Sequence, residues 1–321
     1  MTQDAAPALA RAILHAHHAR FAADTPLAEA ERVLQAVLDD ARRADTPPTQ
    51  RAAQAACRAL GFIEIDAQCL AQAWQRRSER TGDAAPEAWP DEPGDFGLAP
   101  WPRDGAFAPC PPALGLYAVL PDAAWVARLA QAGVPTLQLR FKSDDAAAVR
   151  REVEAAVTAV RGTESLLFIN DHWQAAIDAG AYGVHLGQED LEAAAPQLDA
   201  VRTAGLRLGL STHGYAEMLR ADAFGPSYLA MGAVFPTTLK QMATAPQGLA
   251  RLGAYARLIR GRSLVAIGGL DADRLPAALA TGVGSVAVVR AIVGAAQPEA
   301  AARSLQAQVQ RHLQAPPAPS H

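Results

Sequence analysis

Cysteine is scarce in this chain: Cys57, Cys69 and Cys110 are all it has, an odd number with no CxxC spacing. That argues against a disulfide framework and leaves free thiols in a reducing cytosol, with a structural role for Cys57 and Cys69. A run of roughly 18 apolar residues is also missing, so no segment reads as a membrane span. The first residues, Met-Thr-Gln-Asp-Ala-Ala-Pro, carry no basic stretch leading into an apolar core, which makes a cytoplasmic protein without a signal peptide the expectation. Positive charge is not in excess: 29 Lys and Arg against 33 Asp and Glu give a net charge of −4. Without a basic stripe, a general nucleic-acid partner is not expected, and neither is a membrane partner. What remains is a soluble globular chain of 321 residues, half of them hydrophobic, enough to bury a sizeable core in one large or two modest domains.

The sequence changes character near residue 85. Residues 6–81 are rich in Ala, Arg, Gln, Asp and Glu and read as helices, one carrying an apolar face of Leu27, Val33, Leu34, Val37 and Leu38. Pro47 and Pro48 break the pattern, Thr49 is placed to cap the next helix, and Gly61 to stop it. Asp66 can cap a further helix that reaches Arg80. His15, His17 and His18 read as a solvated helix face rather than a metal site, since no Cys or acidic motif partners them. Eight prolines (86, 90, 93, 100, 102, 109, 111 and 112) rule out a long helix or central strand from Ala84 to Pro112. That stretch reads as a linker able to pack through Trp89, Phe96, Trp101 and Phe107.

From Leu114 the chain alternates short apolar strands with Ala-rich helices. The strands are Leu114–Leu120, Thr136–Leu139, Leu166–Ile169, Gly183–Leu186, Arg207–Leu210, Ser227–Met231, Leu264–Ile267 and Ser285–Val289, with a last helix from Ala291 to His312. Eight strand–helix pairs in about 200 residues imply an α/β fold, a (β/α)8 TIM barrel, with an open doubly wound sheet as the structural alternative. The organisation is then a helical region 1–83, a Pro-rich linker 84–112, a barrel 113–314 and a disordered Pro-rich tail 315–321.

In such a barrel the residues just after each strand line the C-terminal face, where active sites sit. Asp171 follows the third strand and Asp190 the fourth, 19 residues apart, so both carboxylates emerge on one face. Two hard oxygen ligands suit Mg²⁺, which completes its shell with water and substrate phosphates. The second strand closes in Gln138-Leu139-Arg140-Phe141-Lys142, and alternation sends Gln138, Arg140 and Lys142 to one side, an anion clamp or else a solvated strand end. After the fifth strand, Ser211 can meet a ligand, or one of Ser211 and Thr212 caps the following helix. A long loop, Gln241 to Gln247, follows the sixth strand as a candidate lid. Gly268-Gly269 and Val289-Arg290 close the last two strands, where this fold commonly holds phosphate.

Seven segments in order carry a resemblance: Leu-Gln-Leu-Arg-x-Lys, Phe-Ile-Asn-Asp, Gly-Val-His-Leu-Gly-Gln-Glu-Asp, Leu-Ser-Thr-His, Val-Phe-Pro-Thr, Ala-Pro-Gln-Gly-Leu and Val-Ala-Ile-Gly-Gly. Together, over about residues 113 to 300, they resemble the thiamine phosphate synthases. The resemblance implies a transferase of thiamine biosynthesis that joins a hydroxymethylpyrimidine diphosphate to a thiazole ethyl phosphate and releases pyrophosphate. It places Gln138, Leu139, Arg140, Phe141, Lys142, Asn170, Ser211 and Lys240 at the pyrimidine diphosphate, with Arg140, Lys142 and Lys240 acting on the leaving group. It assigns Mg²⁺ to Asp171 and Asp190, and the thiazole phosphate to Thr237, Thr238, Leu239, Gly269, Val289 and Arg290.

Two positions depart from the family pattern: Leu239 stands where a second Thr is usual, and Arg290 where a Ser is. Either Arg290 supplies a charged donor that replaces the lost hydroxyl, or backbone amides hold the phosphate and both side chains are free to vary. Two other functions compete with the synthase, a barrel that isomerises a thiazole phosphate (a tautomerase) and a non-catalytic ligand-sensing barrel. The clamp and the Asp pair favour the synthase. The N-terminal helices carry no catalytic motif and read as an interaction or oligomerisation segment, which leaves room for a homo-oligomer.

Overall fold

The computed structural model describes residues 5–40, 46–237 and 245–314. Its contacts form two units, Met1–Pro100 with Gly214–Arg220, and Trp101–His213 with Ala221–His321.

The first unit is built from helices α1 (Ala6–Phe21), α2 (Leu27–Asp40), α3 (Pro48–Ala59) and α4 (Glu64–Thr81). Prolines open two of them, because a helix's first turn needs neither their missing N–H nor a φ they cannot adopt. Pro48 is therefore the first residue of α3, and Thr49 lies inside the helix instead of capping it. Asp66 likewise sits in the first turn of α4 and not at its cap, and its Oδ1 accepts from Ala216 N at 2.9 Å. In α2 the buried line is Ala30, Leu34 and Leu38, an i, i+4, i+8 row, while Leu27 and Val33 face solvent.

The histidines do not share one solvated face. His15 meets Glu31 at the surface, but His17 is buried with Nε2 3.0 Å from Pro86 O and its ring 5.0 Å from that of Trp89. Burial lowers its pKa. The linker aromatics Trp89 and Phe96 join this unit, each meeting Tyr215: the Trp89 indole donates to its hydroxyl at 3.0 Å, and the Phe96 ring stacks on it at 5.4 Å.

The second unit is a closed ring of eight parallel strands in sequence order. Its elements are β1 (Gly115–Leu120), α5 (Ala123–Gln131), β2 (Thr136–Leu139), α6 (Ala146–Val160), β3 (Leu166–Asn170), α7 (Trp173–Ala179) and β4 (Gly183–Leu186). Two helices, α8 (Gln188–Ala194) and α9 (Leu198–Thr203), precede β5 (Arg207–Thr212), and α10 (Tyr215–Asp222) follows it, most of its residues belonging to the first unit. The ring closes through β6 (Tyr228–Met231), α11 (Gly248–Leu258), β7 (Ser263–Ile267), α12 (Leu275–Leu279) and β8 (Ser285–Val288). The expected single final helix is two, α13 (Arg290–Val293) and α14 (Pro298–Gln314), because Gly294 ends the first and Pro298 can only begin the second. No helix among the described residues is long and apolar enough to cross a membrane.

Trp101 and Phe107 pack within this unit under Arg262 and Arg202, whose guanidinium carbons lie 4.6 Å and 4.5 Å from the ring centroids. Inside the ring, Tyr117, Phe168 and Tyr228 form an aromatic layer across the barrel axis, with Val119, Ala230, Val265 and Ala287 around it. Each buried ring contributes about 2–3 kcal/mol of transfer free energy. Gly209 pairs with Tyr228 in the β5–β6 register, and a Cβ there would lie 2.1 Å from the tyrosine ring. Glycine at that position makes room for the layer.

Candidate active site

A cavity of about 670 Å³ lies above the aromatic layer, at the C-terminal ends of the strands. Its size suits a small organic ligand. The barrel brings together Gln138, Arg140, Lys142, Asn170, Asp171, Asp190, Ser211, Thr237, Gly269, Val289 and Arg290, all expected from the sequence, on its wall. Leu139 is buried on the opposite side of β2, and Phe141 offers only its carbonyl, to His172 Nε2 at 3.1 Å; neither lines the cavity. Strand parity dictates this, since successive side chains point to opposite faces. Thr238, Leu239, Lys240 and most of the candidate lid lie outside the described residues, as does the tail.

The two carboxylates converge. Asp171 follows β3 in the left-handed region, φ 63°, where its N–H donates to His185 O at 3.0 Å. Such a conformation is uncommon for a residue with a side chain, and here it turns the carboxylate into the cavity beside Lys142, with which it pairs. Asp190 sits in the first turn of α8 and accepts from Gly187 N–H. Burial raises its pKa, and so do the charge of Asp171 and the hydrogen bond they share; Lys142 and the Gly187 amide oppose the shift. Two carboxyl groups this close share a proton when no cation is near, and a divalent cation would stabilise both as anions. No cluster of three or more His, Cys, Asp or Glu forms among the described residues, so water and substrate oxygens would complete the shell of an ion held here.

On the far wall, Gly268 and Gly269 take φ values of 100° and 66°. Their neighbours leave no room for a side chain: a Cβ at Gly269 would lie 2.7 Å from Phe235 Cβ. Arg274, which sequence reading passed over, donates from Nη1 to Gly269 O at 2.7 Å and stacks on Phe235 at 5.0 Å. Arg290 opens α13 and, like Arg274, lines the cavity.

Neither Ser211 nor Thr212 caps α10. Thr212 is buried and donates to Ala230 O at 3.0 Å, while Ser211 Oγ lies 2.8 Å from His185 Nε2. His185 appeared in the sequence only as part of a motif. It is buried on β4, and desolvation pushes its pKa down to about 4 against the opposing pull of Asp171. Glu189 and His213, also seen only inside motifs, line the cavity as well.

Residues 116–292, more than half of the chain, match the family model described as thiamine monophosphate synthase. A thiamine-phosphate synthase of Neisseria meningitidis (serogroup A, strain Z2491) is 53% identical over 201 residues, which cover 63% of this chain and 97% of that protein. Another, from Cronobacter sakazakii, is 54% identical over 189 residues, covering 59% and 89%. Among solved structures, a thiamine phosphate pyrophosphorylase from Pyrococcus furiosus aligns with a TM-score of 0.55 and 28% identity over 62% of this chain and 97% of its own. The first 115 residues lie outside the family model. Barrel, strand-end residues and relatives agree: the chain is an enzyme of the thiamine monophosphate synthase family.

Proposed function

We propose that the chain couples 4-amino-2-methyl-5-hydroxymethylpyrimidine diphosphate to a thiazole ethyl phosphate, giving thiamine phosphate and pyrophosphate. The observation that carries this reading is the convergence, in one cavity, of an acidic pair, the Arg140–Lys142 clamp, a double-glycine turn and two further arginines, Arg274 and Arg290. Two phosphorylated substrates need two anion sites, and the cavity offers one on each wall.

Asp171 and Asp190 would hold Mg²⁺, which when bound supplies positive charge against the diphosphate oxygens. Arg140 and Lys142 neutralise the charge that grows on pyrophosphate as the carbon–oxygen bond at the pyrimidine methylene breaks. Lys240, outside the described residues, is assigned to the same task by the family resemblance. Positive charge left on the methylene is delocalised into the electron-rich ring. The thiazole nitrogen then attacks that carbon, so no side-chain nucleophile is required, and the protein contributes electrostatics and positioning. An isomerase acting on one thiazole phosphate would leave the Asp pair and the clamp without a task.

The test is formation of thiamine phosphate by the purified full chain from the two substrates with Mg²⁺. Product supports the coupling reaction; folded protein without turnover overturns it.

Arg290 is assigned to the thiazole phosphate. Arg290→Ser is expected to raise the KM for thiazole phosphate about tenfold, as loss of one charge-assisted contact would. The KM for the pyrimidine diphosphate should stay within about twofold. Steady-state kinetics with each substrate varied decides it, and an unchanged thiazole KM would leave the phosphate to the backbone amides.

A further inference from the structure

Beneath the cavity, a line of polar groups crosses the otherwise apolar barrel interior. Gln138 Nε2 donates to Tyr117 Oη at 3.2 Å, and Tyr117 Oη lies 2.7 Å from Tyr228 Oη. Tyr228 Oη lies 2.7 Å from His185 Nδ1, and His185 Nε2 lies 2.8 Å from Ser211 Oγ. Tyr117, Tyr228, His185 and Gln138 are all buried, and the line runs from β2 to β5 without leaving the barrel.

We infer that Tyr117, Tyr228 and His185 are positioning residues, a hydrogen-bond relay that makes Gln138 an acceptor and Ser211 a donor toward the ring of the pyrimidine substrate. This rests on the coupling reaction proposed above.

Counting protons sets the direction. Tyr117 Oη accepts from the Gln138 amide, so its own proton goes to Tyr228 Oη. The Tyr228 proton then goes to His185 Nδ1, which fixes the neutral imidazole with its proton on Nε2. That proton goes to Ser211 Oγ, and the serine hydroxyl proton is left to point into the cavity. In the opposite direction Tyr117 would receive protons from both neighbours, and its own would be buried without an acceptor, which a buried site penalises.

At the other end, Gln138 donates one of its two amide N–H groups to Tyr117. Among the described residues nothing bonds its Oε1, and Gln138 lines the cavity. The cavity wall therefore carries one acceptor and one donor at the two ends of the relay. An amino-substituted nitrogen heterocycle carries the complement, an exocyclic N–H for Gln138 and a ring nitrogen for Ser211. Chains of this kind also polarise one another, so breaking the middle weakens both ends.

The experiment compares the 4-amino pyrimidine diphosphate with its 4-deamino analogue, in wild type and in Tyr228→Phe, which keeps the ring and removes the central oxygen. The preference is read as the ratio of dissociation constants with the thiazole phosphate left out, because the amino group also stabilises the methylene cation during turnover. Wild type is expected to bind the amino substrate about 100-fold more tightly, because the analogue leaves a buried acceptor unpaired. Tyr228→Phe should cut that preference to about tenfold or less while leaving the thiazole phosphate KM within about twofold. A purely structural role would lower stability or total activity and keep the preference. Full discrimination in Tyr228→Phe overturns the relay.

Tyr117→Phe, which frees the Gln138 amide, serves as a second break. Nitrogen NMR of the wild-type imidazoles requires no variant: His185 should show an unprotonated Nδ1 and a protonated Nε2, and the other tautomer overturns the relay. Failure of wild type to form thiamine phosphate would count against the coupling reaction, while the NMR result still judges the relay.

Discussion

Asp171→Asn is expected to lower kcat about 10³-fold at saturating substrates, equivalent to about 4 kcal/mol of transition-state stabilisation. Asn is the informative replacement because Asp171 holds a left-handed φ of 63°, a region that Asn tolerates better than other side chains apart from Asp. The turn after β3, and the amide that donates to His185 O, should therefore survive, and the loss reports on charge alone. The variant also removes the anion that adds to the burial-driven rise in the Asp190 pKa, so Asp190 ionises more readily. A single anionic oxygen ligand holds a hard divalent cation less well than two, and half-saturation by Mg²⁺ should shift to higher concentration. EDTA should abolish turnover in the wild type. Rates measured across a Mg²⁺ titration check both statements, and a loss smaller than tenfold would remove Asp171 from the metal site.

The second large effect is expected at Arg140. Its backbone is anchored by a hydrogen bond from Arg140 N to Leu120 O at 2.8 Å, extending the β1–β2 ladder one residue past the strand. Among the described residues its guanidinium makes no hydrogen bond or ion pair, whereas Lys142 beside it is engaged by Asp171. Arg140 thus offers its fork of donors to a ligand. Arg140→Ala should lower kcat/KM for the pyrimidine diphosphate by about 10²–10³, the usual cost of losing an oriented donor for developing negative charge. Arg140→Lys should recover only part, because a point charge lacks the planar two-pronged geometry. The KM for thiazole phosphate, which the proposed function puts on the opposite wall, should hardly change. Equal losses toward both substrates would place Arg140 at a shared structural task.

Sequence alone located the strands because each apolar run is short, bounded by Gly, Pro or polar residues, and followed by an Ala-rich helix. Once eight such units imply a barrel, chain position converts directly into spatial position. A residue just past a strand must stand at the mouth, which is why Asp171, Asp190, Arg140 and Gly269 were legible. Parity along a single strand likewise separated Gln138 from Leu139. What could not be read were contacts whose partners lie far apart in the chain. His185 bonds Tyr228 and Ser211 on other strands, and Asp66 bonds Ala216, 150 residues away. Asp66 looked like a local cap because Asp often is one, but its carboxylate serves another helix. His17 misled for a related reason, since an aromatic shell gathered from three segments buries it.

The aromatic layer of Tyr117, Phe168 and Tyr228 gives the barrel a solid floor, and a vessel with a floor has one doorway. Two substrates must enter and two products leave through the same C-terminal opening. In the coupling proposed above, the molecule bound at Gln138 and Ser211, which the hydrogen-bond line ties to the floor, would have to arrive before the other blocks its way, and whatever remains at the bottom would wait for the rim to clear. The packing that stabilises the fold thereby also imposes a queue on the reaction.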